Sequence, residues 1–192
     1  MPSAFSHALA ALSLGTAFFG TKAPARVWAV GAVGAALPDV DVIGFRFGVR
    51  YGDLLGHRGL THSLAFAALL SLVVLPLALS RDGPTAGRLW AFLFLATASH
   101  GFLDAFTNGG LGVAFFSPFD PTRYFFPFRP ITVAPISVAR FFTGRGWDVL
   151  RSELIWVWGP SAVLAAISLA IPGGHGESWR GSDAGPRTQG GS

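Results

Sequence analysis

Residues 56–79, GHRGLTHSLAFAALLSLVVLPLAL, set two histidines, an arginine and a threonine directly before Leu64–Leu79, sixteen residues without a charge. A run of that kind approaches the roughly 20 helical residues needed to cross a hydrocarbon layer about 30 Å thick. Outward along the chain, Leu154–Ile171 is a second uncharged run of eighteen residues, and Leu89–Ser99 joins an equally apolar neighbourhood ending at Phe106. Of 192 residues, 51% are hydrophobic and only 12% charged. That is about half the charged share of a soluble domain, so the chain reads as a bilayer protein.

Five helices are expected, over Ser3–Gly20, Pro24–Leu37, Leu60–Leu79, Gly87–Thr107 and Ser152–Ile171. Pro24 suits a helix start and Pro38 a stop. The second helix is then short, and spans only by deforming the bilayer or by dipping its end inward. Pro76 and Pro160 fall inside helical runs, where a kink is tolerated if neighbours satisfy the freed carbonyl. No Lys or Arg precedes the apolar part of the first segment, so it reads as a retained helix rather than a cleaved signal. The expected fold is all-α: a polytopic membrane bundle of about five helices with a long interfacial loop, Asn108–Arg151. Within that loop FFSPFDPTRYFFPFRPITVAP (115–135) mixes the rings and guanidinium groups that favour the headgroup layer, and a short interfacial helix is expected around Ser137–Phe142. Residues 1–172 make one membrane-embedded domain, and the polar, Gly-rich 173–192 a disordered tail.

Cysteine is absent, which excludes disulfides, thiolate ligands and a cysteine nucleophile. The net charge of +4 is spread over every loop rather than gathered on one stripe, which argues against nucleic acid and for anionic lipid headgroups as partners. Cations flank both sides of the expected spans, so the positive-inside rule gives no orientation. Nothing in the sequence fixes an oligomeric state.

Five spans would deliver His7, Asp39, Asp41, His57, His62, His100, Asp104 and Glu153 to one side of the membrane. His100 and Asp104, four apart on a helix, point within about 40° of each other and can serve one ion. His57 and His62, five apart, diverge by about 140° if both are helical. A turn at Gly56 and Gly59 would free His57 from the helix that His62 begins. The PDVD stretch (38–41) places two carboxylates where they can share a cation or serve two. Imidazole with carboxylate suits zinc, manganese or iron better than magnesium or calcium.

Simpler roles exist for single residues: turn chemistry for Asp39, an interfacial position for His7, helix capping near His62, a solvated loop for His57. Glu153 is expected to complement the dipole at the start of the fifth helix. Arg58, Arg123 and Arg129 are expected to contact headgroups, with one phosphate clamp among them as the alternative. The pair His100 and Asp104, inside FLFLATASHGFLDAF, has no water to explain it.

LPDVD, HRGLTHS, SHGFLDAFTNGG, PFDPTRYFFPFRPI and SELIWVW, together spanning His7 to about Pro172, resemble the YdjM-type family of bacterial membrane-bound, predicted metal-dependent hydrolases. The order His, Asp, His, then HxxxD is more distantly similar to zinc-dependent phospholipase C and the P1-type nucleases. That resemblance implies His7, Asp39, His62, His100 and Asp104 as ligands, with Asp41 and His57 as ligands or their supports. The chain departs from it: a downstream HxxxE pair is missing and Met1 has no evident ligand role, so one or two ions are expected rather than three. The function implied is a hydrolase of the bacterial inner membrane that acts on a phosphoester of a lipid or lipid-linked substrate through a metal-activated water. Asp39, Asp41 and His57 are its candidate catalytic residues, and zinc the first candidate ion. A metal transporter, or a structural protein whose ion locks helix ends, would use the same cluster.

Overall fold

The computed structural model describes residues 1–171 apart from 82, 137 and 143. The tail expected to be disordered, 173–192, lies outside the described residues, as does one bound of the interfacial helix, Ser137. Among the described residues the regular structure is helical, with two isolated bridges, Thr107 to Ile131 and Val113 to Tyr124, and no strand.

Helix α1 covers Ala4–Phe19 and α2 Ala25–Ala36, and α2 continues into a 3-10 segment, Leu37–Phe47. Pro38 was expected to stop the helix, and instead only tightens it. Its fixed φ suits a 3-10 turn, and its missing N–H is tolerated at the start of a new segment. The second helix is therefore not short: Ala25–Phe47 makes one helical stretch of 23 residues, long and apolar enough to cross a membrane by length and composition.

A 3-10 turn, Leu60–His62, precedes α3, Leu64–Ala78. The expected helix start at Leu60 moves because Ser63 is the cap, its Oγ accepting from Phe66 N at 3.1 Å. Helix α4, Ala86–Ala105, is twenty residues long and carries Arg88, His100 and Asp104. After the Pro-rich segment come α5, Val138–Phe141, and α6, Gly144–Glu153. The last helix thus begins well before the expected Ser152. A π-helical turn, Leu154–Trp158, joins α6 to α7, Gly159–Ala170, and Gly159 N reaches back to Leu154 O. That widened turn makes room for Pro160, whose ring would crowd the carbonyl four residues earlier in a straight α-helix. Arg145–Ala170 is the second stretch long and apolar enough to span, at 26 residues, while Ala4–Phe19 and Leu64–Ala78 are apolar but shorter.

Helix α4 is the hub, packed on α1, α2 and α3, while α1 also meets α2 and α7. Small residues set the approach. A Cβ on Gly15 would come within 2.4 Å of the Trp28 ring, and one on Gly31 within 2.4 Å of Phe92. The core around Phe19, Val27, Leu89, Phe92 and Leu93 is buried, yet Leu69, Leu72, Val73, Leu77, Val163 and Ile167 stay exposed on the outer faces. Apolar surface of that extent needs a cover other than water. The Pro-rich segment folds back over one end of the bundle, with Leu64 N donating to Phe115 O and Phe126 N to Ala105 O, each at 3.0 Å.

Candidate metal centre

Four chain segments meet under that cover. His7 comes from the first turn of α1, Asp39 and Asp41 from the 3-10 extension of α2, His57 and His62 from the turns before α3, and His100 and Asp104 from α4. The approach needs Gly101: a Cβ there would sit 2.7 Å from His62 O. Gly56 and Gly59 likewise admit backbone, since their Cβ atoms would fall 2.2 Å from Arg50 O and 2.3 Å from Leu54 O. The left-handed residue in this stretch is Arg58, with φ 63°, and not a glycine. His7, His57, His62, His100 and Asp104 are buried, and Asp39 keeps 11% of its side chain exposed.

Three imidazoles are oriented alike. His57 Nδ1 donates to Asp41 Oδ1 at 2.7 Å, and His100 Nδ1 to Ala35 O at 2.7 Å. Thr61 Oγ1 gives its proton to Asp41 Oδ2 at 2.6 Å, so at 3.0 Å it accepts from His62 Nδ1. Each ring is left with Nε2 as its free nitrogen, the arrangement that outer carboxylates and carbonyls impose on metal-binding histidines.

His62 Nε2 lies 3.1 Å from His100 Nε2, 3.4 Å from Asp104 Oδ2 and 3.6 Å from Asp39 Oδ1, and His100 Nε2 lies 3.2 Å from Asp39 Oδ1. The His7 ring stacks on His100 with centroids 3.7 Å apart, and its Nε2 is 3.8 Å from Asp104 Oδ1. Two lone pairs and two carboxylates facing each other repel unless a positive charge lies between them. Both His7 nitrogens and Asp39 Oδ2 are buried without a hydrogen-bond partner, while Asp104 has ion-pair contacts instead, Oδ2 facing Arg58 Nε at 2.9 Å and Oδ1 facing His7 Nε2 at 3.8 Å. Such orphaned groups are rare unless something binds them.

The donor atoms form two groups within metal reach: Asp39, His57, His62 and Asp104, and His7, Asp39 and His100, each within 4.8 Å of one another. Asp39 belongs to both. Asp41 belongs to neither, because His57 and Thr61 engage its oxygens. The nitrogen and oxygen donors fit a divalent transition ion. Burial opposes charge on His62, but contacts with Asp104, Asp39 and Asp41 outweigh it and raise its pKa from 6.5 to about 10. Without a cation, a proton answers the same negative field.

Two expectations fail here, those for Arg58 and Glu153. Arg58 is fully buried and contacts no headgroup: Nε lies 2.9 Å from Asp104 Oδ2, and Nη1 and Nη2 donate to Gly109 O and Thr107 Oγ1 at 2.8 and 2.9 Å. Arg123 donates at 2.9 Å to His57 O and at 3.1 and 3.2 Å to Tyr51 O and Asp53 O, tying down the His57 turn. Glu153 lies inside a continuous helix and does not serve its own helix start. Its carboxylate accepts from Ser3 N, Ser3 Oγ and Ser6 Oγ at 2.5, 2.6 and 2.7 Å, and so caps α1. Arg129 stacks over Phe125 at 4.8 Å. Met1, read as having no evident role, places its amino group 3.9 Å from Asp104 Oδ1, where burial lowers its pKa from 8.0 to about 6.

The YdjM inner membrane protein family matches residues 1–174. Inner membrane protein YbcI of Escherichia coli (strain K12) is 42% identical over 166 residues, covering 85% of this chain and 95% of YbcI. No solved structure matches.

Proposed function

The chain belongs to the YdjM inner membrane protein family and is an integral protein of the inner membrane, and from that premise we propose that it is a metal-dependent hydrolase acting on a lipid or lipid-linked phosphoester. In this reading α1, α2 with its extension, α3, α4 and the α6–α7 helix cross the bilayer, and the Pro-rich cover lies at its surface. His7, Asp39, His57, His62, His100 and Asp104 would hold one or two divalent ions, zinc first, with manganese or iron as alternatives. The observation that carries the reading is the set of buried, unpartnered donor atoms on His7 and Asp39, with the buried Asp104 carboxylate beside them, around the facing imidazoles of His62 and His100.

A divalent ion held there supplies hydroxide near neutral pH and stabilises charge on a phosphoryl oxygen. The residues do the rest. Asp41 orients His57 and, through Thr61, His62. Asp39 Oδ2, without a partner on the least buried of the ligands, would take the proton of the attacking water and return it to the leaving group. The water oxygen would bond to phosphorus as the ester P–O bond breaks, and the departing alkoxide would take that proton from Asp39.

The test is metal analysis of the detergent-purified protein together with hydrolysis of bis-p-nitrophenyl phosphate by wild type, His100→Ala and Asp104→Ala. Stoichiometric zinc, with turnover lost in both variants, is the expected result. Wild type without a transition metal would end the proposal. Bound metal without turnover, with melting lowered by chelator, would mark an ion that only ties the four segments together.

A further inference from the structure

A cavity of about 530 Å³ opens beside His57 and Met1. Arg140 from α5 and Arg145 from α6 line it together with Tyr51, and no acidic side chain does so among the described residues. Two exposed guanidinium groups from separate elements, next to a centre that would carry divalent ions, make a wall complementary to a phosphate. Ala134–Ile136 forms one side of this cavity, and the same residues border an apolar groove of about 280 Å³ that continues past Met1–Phe5 to Phe141 and Phe142. Ala134 N donates to Met1 O at 2.9 Å, so the seam between the two spaces is part of the fold. Phe5 is 73% and Phe142 82% exposed, rings that water would not leave uncovered without cost.

We propose that cavity and groove form one binding site for an anionic lipid, its phosphate between Arg140 and Arg145 beside the metal centre and its acyl chain along Phe5, Phe141 and Phe142. The inference rests on the reading of that centre as hydrolytic. A water-soluble phosphoester would use the arginines and leave the groove idle, whereas a neutral lipid would use the groove and leave the arginines idle. The juxtaposition of both favours a molecule that needs both.

The test is calorimetric binding to the full chain in a neutral maltoside detergent, with dioctanoyl phosphatidic acid, dioctanoylglycerol and inorganic phosphate as probes. Phosphatidic acid should bind at least about tenfold tighter than either other probe. Arg140→Gln with Arg145→Gln should remove that margin while bound metal stays unchanged, and the double lysine variant should keep most of it. Phe5→Ser with Phe142→Ser should weaken the lipid and leave inorganic phosphate as it was. Inorganic phosphate binding as tightly as the lipid, or an unchanged lipid affinity in the double glutamine variant, would overturn the site. Phosphatidic acid that binds but is not cleaved leaves the site standing and counts only against hydrolysis.

Discussion

Arg58 Nε lies 2.9 Å from Asp104 Oδ2, and both side chains are fully buried. The arginine sits in a left-handed backbone conformation, φ 63°, that few residues other than glycine adopt. A strained backbone and a desolvated charge persist together only where the surroundings demand both. Here the demand is the placement of Asp104: with Oδ2 against Arg58, Oδ1 is turned toward His7 and the amino group of Met1.

Replacing Arg58 by methionine leaves the Asp104 carboxylate without its buried partner. The expected loss is about 3–5 kcal/mol, the range for breaking one side of a buried pair. Thermal unfolding of the purified protein reads it. Melting within a degree of wild type would show that the pair does not hold the fold.

Asp39 belongs to both donor groups, whereas His7 and His57 belong to one each. Asp39→Ala should therefore lose all bound metal, and His7→Ala or His57→Ala only part of it. Plasma mass spectrometry of the purified variants gives the ratio directly. Equal loss in all three would mean a single shared ion.

Asp41 touches the centre through His57, through Thr61 and at 3.3 Å from His62 Nδ1. Asp41→Asn keeps the shape but weakens the acceptor that fixes the His57 tautomer, and should cost roughly 10–100-fold in metal affinity. Thr61→Val should cost less, since His62 Nδ1 keeps its direct contact with Asp41 at 3.3 Å. A competition titration against a zinc chelator measures both.

The helices were legible because long uncharged runs mark them, and Leu64–Leu79 and Leu154–Ile171 carry little else. His100 and Asp104 were legible because their spacing puts them on one face of α4. Arg58 and Glu153 were misread because their partners are remote: Glu153 meets Ser3 and Ser6 across 150 and 147 positions. Local rules gave Arg58 a headgroup and Glu153 its own helix dipole, the nearest partners each could have. Pro38 reads as a stop by α-helical logic, which a 3-10 continuation does not obey. Gly101, between two ligands and under His62 O, carried a signal that went unread: a glycine inside a helix at the one point where another backbone must approach.

His62, in the turn ahead of α3, has its pKa raised from 6.5 to about 10. In chelator-treated protein the protonated ring therefore stabilises the fold fully below pH 6.5, and that contribution is lost as the pH rises through 10. A metal ion requires the neutral ring, so proton and ion compete, and metal affinity should climb with pH across the same interval. Melting temperatures of stripped and loaded protein across that interval test this. A stripped protein as stable at its upper end as at its lower end would show that His62 carries no charge there.

Glu153 joins the last helix to the first. Its carboxylate takes up Ser3 N and the hydroxyls of Ser3 and Ser6, and Trp158 Nε1 donates to Ser6 Oγ at 2.8 Å from one turn further along. The π-helical turn between Glu153 and Trp158 lets both face α1. Glu153→Ala leaves an uncapped helix start and buried hydroxyls without their acceptor, a cost of about 1–3 kcal/mol. Glu153→Gln keeps an acceptor oxygen and should recover part of that. Because His7 follows one residue after Ser6 on α1, a loosened helix start should also lower metal occupancy of the His7, Asp39 and His100 group ahead of the other. Thermal unfolding and metal content of the two variants check the pair of effects. A destabilised Glu153→Ala protein that keeps its full metal complement would separate the cap from the centre.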